Sequence, residues 1–286
     1  MSWLVDTFEP EFMQRALLAG LLAVVATSVV GTWVVLRGLA FLGDALAHGV
    51  LPGLALAVLW GFSPVVGALG AAVVMSLAVT VVSSRTRLRE DTGIGLLFVG
   101  MLALGVIIVS RSQSFATSVT DLLFGEVLGV TPGDLRTQAI AAGVVVVAAG
   151  LLYRPLLALA FNRDKAATLG MRPGLAHAAL MIMVAVSIVA SFKAIGTLLV
   201  FGLLIGPPAT ATLLVRRVPL IMVSAMGIGA VCVVAGLTIS FHHGTAGGAT
   251  IAGLAVAVFF AVFAVQEVRR FVRDRRARRR LLPARS

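Results

Sequence analysis

Asp44 and His48 are the residues of this sequence best placed to do chemistry. They lie four apart in an otherwise apolar stretch, Phe41-Leu42-Gly43-Asp44-Ala45-Leu46-Ala47-His48-Gly49-Val50-Leu51-Pro52-Gly53. On a helix, that spacing puts both on one face, with about 5–6 Å between Cβ atoms. A carboxylate beside an imidazole can hold one small cation, and the donor pair suits Zn2+ and Mn2+ equally. Two donors do not complete the shell of either ion. The rest falls to a second copy, backbone carbonyls or water. An aspartate at the centre of a bilayer-spanning helix costs about 2.5–3.5 kcal/mol, which marks it as functional by default. The structural alternative is an aspartate bonded to a neighbouring helix and a satisfied core histidine.

The elements around the pair must be membrane helices. Of 286 residues, 59% are hydrophobic and only 12% are charged, and the mean hydropathy is +1.06. The apolar runs approach the roughly 20 residues needed to span a bilayer, and they are continuous rather than alternating, which disfavours a β-barrel. The fold class is all-α: a polytopic transmembrane bundle forming a single domain over 1–286. The net charge of +11 does not point to nucleic acid, because the basic residues occupy short loops and a tail, where they set orientation. The tail, 270–286, holds Arg275, Arg276, Arg278, Arg279 and Arg280, suited to anionic headgroups on the cytoplasmic face. Cys232 has no second cysteine to pair with and reads as a small core hydrophobe. The acidic N-terminal segment (Asp6, Glu9, Glu11) lacks the basic start of a cleaved signal peptide.

Taken in order, the chain reads as nine spans with the N-terminus outside and the C-terminus cytoplasmic. The first covers 12–36 and ends at Arg37; the second, 39–60, carries the Asp–His pair and ends at an interfacial Trp60. From Arg37 to His48 is about 16 Å of helix, half of a ~30 Å hydrocarbon core. Further spans fall at 64–83, 92–110, 135–153, 174–194, 196–215, 219–240 and 248–268. Arg85, Arg87, Arg89 and Arg216-Arg217 mark cytoplasmic loops. The count drops to eight if the stretch holding Pro207-Pro208 is broken or re-entrant. Residues 111–134 are read as an outer loop with one short helix, stopped near Pro132-Gly133. Phe161–Arg172 is the one polar helical stretch between spans, capped by Asn162 and ended by Gly170.

Other candidates weigh less. His177 reads as a packed structural residue. His242 and His243, in a predicted outer loop, do not face one way. Glu90 and Asp91 read as charge partners for the positive end of the next helix rather than as an exit site. No phosphate-binding loop surrounds either lysine, Lys165 or Lys193, so the chain is not an enzyme and supplies no nucleotide hydrolysis of its own.

Several motifs, in order, resemble the ABC-3 family, the permease subunits of bacterial ABC importers for zinc and manganese. They are Leu36-Arg37-Gly38-Leu39-Ala40-Phe41-Leu42-Gly43-Asp44-Ala45-Leu46-Ala47-His48, Glu90-Asp91-Thr92-Gly93-Ile94-Gly95, Leu122-Leu123-Phe124-Gly125-Glu126-Val127-Leu128, and Gly196-Thr197-Leu198-Leu199-Val200 through Pro208-Ala209-Thr210-Ala211. The resemblance covers nearly the whole chain. It implies that Asp44 and His48 coordinate the ion in transit, which is cargo rather than a cofactor. It also implies that Phe161–Arg172 is the coupling helix, with Phe161, Asn162, Asp164, Ala166 and Gly170 docking a cytoplasmic ABC ATPase. An extracytoplasmic metal-binding protein, a second permease subunit and a bacterial plasma-membrane location complete the expectation. Ala47, Asn162 and Phe241-His242-His243 depart from the usual pattern without removing a presumed ligand. The alternatives are an ion-coupled carrier working alone, with the pair as a proton relay, a permease-like subunit that transports nothing, and a related permease for chelated iron or cobalamin.

Overall fold

The computed structural model describes residues 7–85, 90–110, 129–161 and 171–281. These are built from helices: α1 (Glu11–Leu36), α2 (Ala40–Gly49), α3 (Leu51–Trp60), α4 (Pro64–Arg85), α5 (Glu90–Ser110), α6 (Pro132–Leu151), α7 (Tyr153–Phe161), α8 (Pro173–Ile195), α9 (Thr197–Leu214), α10 (Val218–His243) and α11 (Gly247–Leu281). Helices satisfy every backbone bond within their own segment, which is why apolar runs take this form in lipid. Among the described residues, eight spans are long and apolar enough to cross a membrane, with α2 and α3 together forming one.

The ninth expected span, α9, is shorter than the others. Its apolar part, Leu198–Leu214, extends about 26 Å at 1.5 Å per residue. It is continuous through Pro207 and Pro208 rather than broken there. The prolines leave the carbonyls of Leu203 and Leu204 without their usual donors, and a close neighbour covers the gap. A Cβ on Gly31 of α1 would run into the Leu204 carbonyl oxygen, so only glycine lets the two backbones meet. The chain enters α9 straight from α8 through Gly196 alone, at a φ of 80° that a side chain would disfavour.

Contact points along the helices give their directions. Gly20 meets Val233 and Gly229 meets Val24, so α1 and α10 are antiparallel. Gly202 meets Ala252, Gly206 meets Ala255, and the Gln266 side chain bonds the Leu213 carbonyl, so α9 and α11 run parallel. Gly95 lies by Phe41 and Gly105 by Leu51 and Pro52, so α5 runs parallel to α2–α3. Arg37, Arg216, Arg269, Arg270 and Arg273 therefore gather at one end of the bundle. α1 lies at the centre, with Ala19, Ala23, Val30, Trp33 and Val34 all buried. Gln138 of α6 is buried too, and its Nε2 donates to the Ala19 carbonyl (3.0 Å) and to Ser191 Oγ (3.3 Å) of α8, a polar tie of the kind that holds membrane helices together.

Several boundaries differ from expectation. The short helix expected before Pro132 falls on residues outside the described ones, and Pro132 begins α6, earlier than the expected start at 135. Thr131 caps it in a reciprocal box with Asp134, and proline suits the first helical position because its missing N–H is not needed there. His242 and His243 belong to the last turn of α10 rather than to a loop; the helix stops at Gly244, in the left-handed region. The basic tail continues α11 as helix to Leu281. The acidic motif 121–128 lies outside the described residues.

The Gly31–Leu204 approach gives a test. Gly31→Ala is expected to lower stability by about 1–3 kcal/mol, because a Cβ there displaces backbone rather than a flexible side chain. Gly70→Ala, at a site with open space around it, should be neutral. Thermal unfolding of both purified variants in detergent checks the contrast; equal melting temperatures would refute it.

Candidate functional site

The second span is two helices, not one. α2 stops at Gly49 and α3 begins at Leu51, with Val50 as the joint. Pro52 is the cause. It has no N–H to offer the carbonyl four residues back, which is that of His48, and this carbonyl takes the N–H of Val50 instead. The irregularity falls directly beside the ionisable pair. It also shifts the depth inferred from the sequence. Arg37 to Leu39 form a turn outside α2, so His48 lies about 12 Å along the span from Ala40 and about 18 Å from Trp60. The pair sits on the basic-end side of the span's centre.

Asp44 and His48 do share a face and do meet. The His48 Nδ1 lies 3.4 Å from the Asp44 carboxylate and 3.1 Å from the Asp44 backbone carbonyl. A carbonyl only accepts, so Nδ1 carries the proton and donates. In the neutral ring this leaves the Nε2 lone pair for a ligand. Metal-binding histidines show the same division of labour, with one nitrogen held by a carboxylate or carbonyl and the other on the ion. The ring is fixed from the side by Phe98 of α5, edge-to-face at 5.8 Å, and Phe98 is itself set against Phe41 at 5.5 Å.

The pair is accessible among buried neighbours. The side chains of His48 and Asp44 are 28% and 32% exposed, whereas Leu42, Gly43, Ala45, Leu46, Ala47 and Gly49 are buried. Phe41, Asp44, His48 and Leu51 make a stripe at helical spacing that the rest of this chain leaves partly open. Among the described residues no group of three or more His, Cys, Asp or Glu side chains converges on one point. The chain therefore presents two side-chain donors on an open face.

The remaining sequence candidates are dispersed. Glu90 and Asp91 form the first turn of α5, Asp91 exposed, as expected of charge partners for a helix N-terminus. His177 is buried near the start of α8 and accepts a hydrogen bond from the Arg37 guanidinium on Nδ1 at 2.6 Å. That bond ties the end of α1 to the start of α8 and gives the histidine the structural role expected of it. His242 donates from Nδ1 to the Thr238 carbonyl at 2.9 Å, within its own helix. Cys232 is buried in the core. Phe161 ends α7 and is exposed, while Asn162, Asp164, Ala166 and Gly170 lie outside the described residues. Phe98 and Gln138 were not singled out by sequence reasoning. Phe98 is one aromatic in an apolar run and Gln138 one polar residue in the first turns of α6, and only tertiary contact distinguishes them.

A model of the ABC 3 transport family matches residues 9–266. The chain belongs to the ABC 3 transport family. It is 34% identical over 252 residues to the manganese transport system membrane protein MntC of Halalkalibacterium halodurans, covering 88% of this chain and 86% of that one. It is 31% identical over 275 residues to the chelated iron transport system membrane protein YfeD of Yersinia pestis, covering 96% and 92%. Its fold matches a chain of PsaBC from Streptococcus pneumoniae, solved in complex with Fab, with a TM-score of 0.80, 28% identity and coverage of 91% and 94%. Family membership makes this chain a multi-pass membrane subunit of an ABC transporter, with the all-helical permease fold. It disfavours a carrier working alone.

The Arg37–His177 bond can be tested directly. His177→Ala should cost about 1–3 kcal/mol, the loss from removing one partner of a buried polar contact, and His177→Gln should recover part of it by restoring an acceptor. Denaturation of the two purified variants reads the difference; an unchanged His177→Ala protein would show the bond to be structurally idle.

Proposed function

We propose that this protein is the permease subunit of an ATP-driven importer of a divalent first-row transition-metal ion, which passes through a site made by Asp44 and His48. The observation that carries this reading is the pair itself. A carboxylate and an oriented imidazole, within the membrane span and between buried residues of the same helix, are side by side and open to a face. Chemistry permits Mn2+, Fe2+ or Zn2+ there. The printed functions of the relatives, manganese and iron transport, support manganese or iron ahead of zinc.

The open stripe of Phe41, Asp44, His48 and Leu51 supports a path shared with a second copy of this chain, which brings its own donors and completes the shell. The carbonyl of His48, which lacks its normal helical partner and accepts the Val50 N–H instead, keeps a second lone pair beside the same pair. Asp44 contributes charge to the cation and orients the imidazole; His48 contributes Nε2; Phe98 holds the ring in place. The basic end of the bundle is the cytoplasmic one by the charge rule for loops. There Phe161–Arg172 docks a separate ATPase, whose hydrolysis drives the permeases between outward-open and inward-open states. An extracytoplasmic binding protein delivers the ion to the opposite end.

Uptake of labelled manganese by cells expressing the assembled transporter tests the site. Asp44→Ala and His48→Ala should each reduce uptake about tenfold or more, as expected when a metal ligand or the group orienting it is lost. Normal uptake by both variants at equal expression would overturn the assignment. Competition with Fe2+, Zn2+ and a chelated iron complex in the same assay identifies the cargo: a bare ion competes with bare ions, and dominance of the chelate would replace this reading.

A further inference from the structure

The basic end of the bundle carries a cavity of about 560 Å3 between the end of α9 and the emerging part of α11, lined by Leu213, Arg216, Gln266, Arg269, Arg270 and Arg273. We infer that it is a binding site for the phosphate headgroup of an anionic phospholipid.

The lining is set by helical spacing. Gln266, Arg269, Arg270 and Arg273 are separated by three, one and three residues, so they project from one side of α11. Arg216 reaches the same space from the turn after α9. Gln266 is used structurally, its Nε2 bonded to the Leu213 carbonyl, and so pins the two helices together at the cavity's edge. Among the acids whose side chains are described, Glu267 pairs with Arg270 at 3.0 Å. Among the described residues, no carboxylate meets Arg216, Arg269 or Arg273. The carbonyl end of α9 offers only about half a negative charge. Three guanidinium groups converging on one small space need an anion, and guanidinium is the side chain best matched to phosphate oxygens.

Depth argues for a lipid over a soluble phosphate. Arg269 lies 22 residues beyond Gly247, about 33 Å along α11, close to one ~30 Å hydrocarbon thickness. The cavity is therefore at headgroup level. Beside the basic side of α11 runs an apolar one: Val265, Val268 and Val272 are exposed, as is Leu214 at the end of α9. A headgroup in the cavity would lay its acyl chains against these residues. Basic pockets between transmembrane helices on the cytoplasmic side are a recurrent form of headgroup recognition. The site is separate from the Asp44–His48 pair and does not depend on its role.

The full-length protein, purified in mild detergent and analysed by native mass spectrometry, gives the test. Phosphatidylglycerol should be retained in preference to phosphatidylcholine. Each of Arg216→Gln, Arg269→Gln and Arg273→Gln should lower its occupancy about fivefold, the expectation for one cationic contact at a membrane surface. All three side chains are exposed, so the variants keep the fold. A control with the same charge change outside the cavity, Arg85→Gln at the exposed end of α4, should retain the lipid. Equal loss in the control, or equal retention of the two lipids by the wild type, overturns the site. Displacement of phosphatidylglycerol by inorganic phosphate alone would reassign the cavity to a soluble anion. Loss of ATPase co-purification in the cavity variants, with lipid retention unchanged, would reassign it to a protein contact.

Discussion

A backbone amide in hydrocarbon has no water to bond, and every other feature of this protein is arranged within that limit. The described residues answer it with helices and permit irregularity only where something else covers the exposed groups. Three prolines lie inside the spans near functionally marked stretches: Pro52, Pro207 and Pro208. At Pro207-Pro208 the carbonyl of Leu204 is met by the backbone of α1 at Gly31. At Pro52 the displaced carbonyl belongs to His48, and the joint between α2 and α3 is the result. One exception holds the core together, and the other puts a joint in the backbone beside the ionisable pair, where the Val50 N–H takes up the displaced carbonyl.

The polar side chains divide along the same line. Thr27 and Thr32 of α1 return their hydroxyls to the carbonyls of Ala23 and Ser28, both at 2.7 Å, and so remain self-contained. Gln138 and His177 are buried but partnered across helices, and they fix α6 to α1 and α8, and α8 to the end of α1. Asp44 and His48 bond chiefly to each other and stay partly open. Two groups that could have been shielded by the bundle are instead left facing outward from it. This is costly in lipid unless a cation or a further protein surface covers them, and the proposed function supplies both.

The charge pattern has a similar logic at the basic end. Loop arginines orient the chain through their number and position, which requires no particular geometry. The side of α11 from Gln266 to Arg273 adds geometry, because the parallel α9 ends beside it and closes a cavity. Orientation and headgroup binding thus draw on the same residue type, but only the second depends on which helices are neighbours.

The sequence by itself determined the class of the molecule. Continuous apolar runs compel helices, an i, i+4 spacing compels Asp44 and His48 onto one face, and ordered motifs identify the family. These properties are local or additive along the chain, so they survive without a fold. It did not determine the break at Val50, the start of α6 at Pro132 or the helical His242 and His243, because a proline or an aromatic residue is compatible with either state until its neighbours are known. Nor did it reveal Phe98 against His48, Gln138 against Ala19, Arg37 on His177 or the arginine-lined cavity. Each of these joins residues far apart in the chain. Apolar membrane helices are nearly interchangeable in composition, so which of them lie side by side is decided by packing at small residues such as Gly31, and only the tertiary structure records that choice.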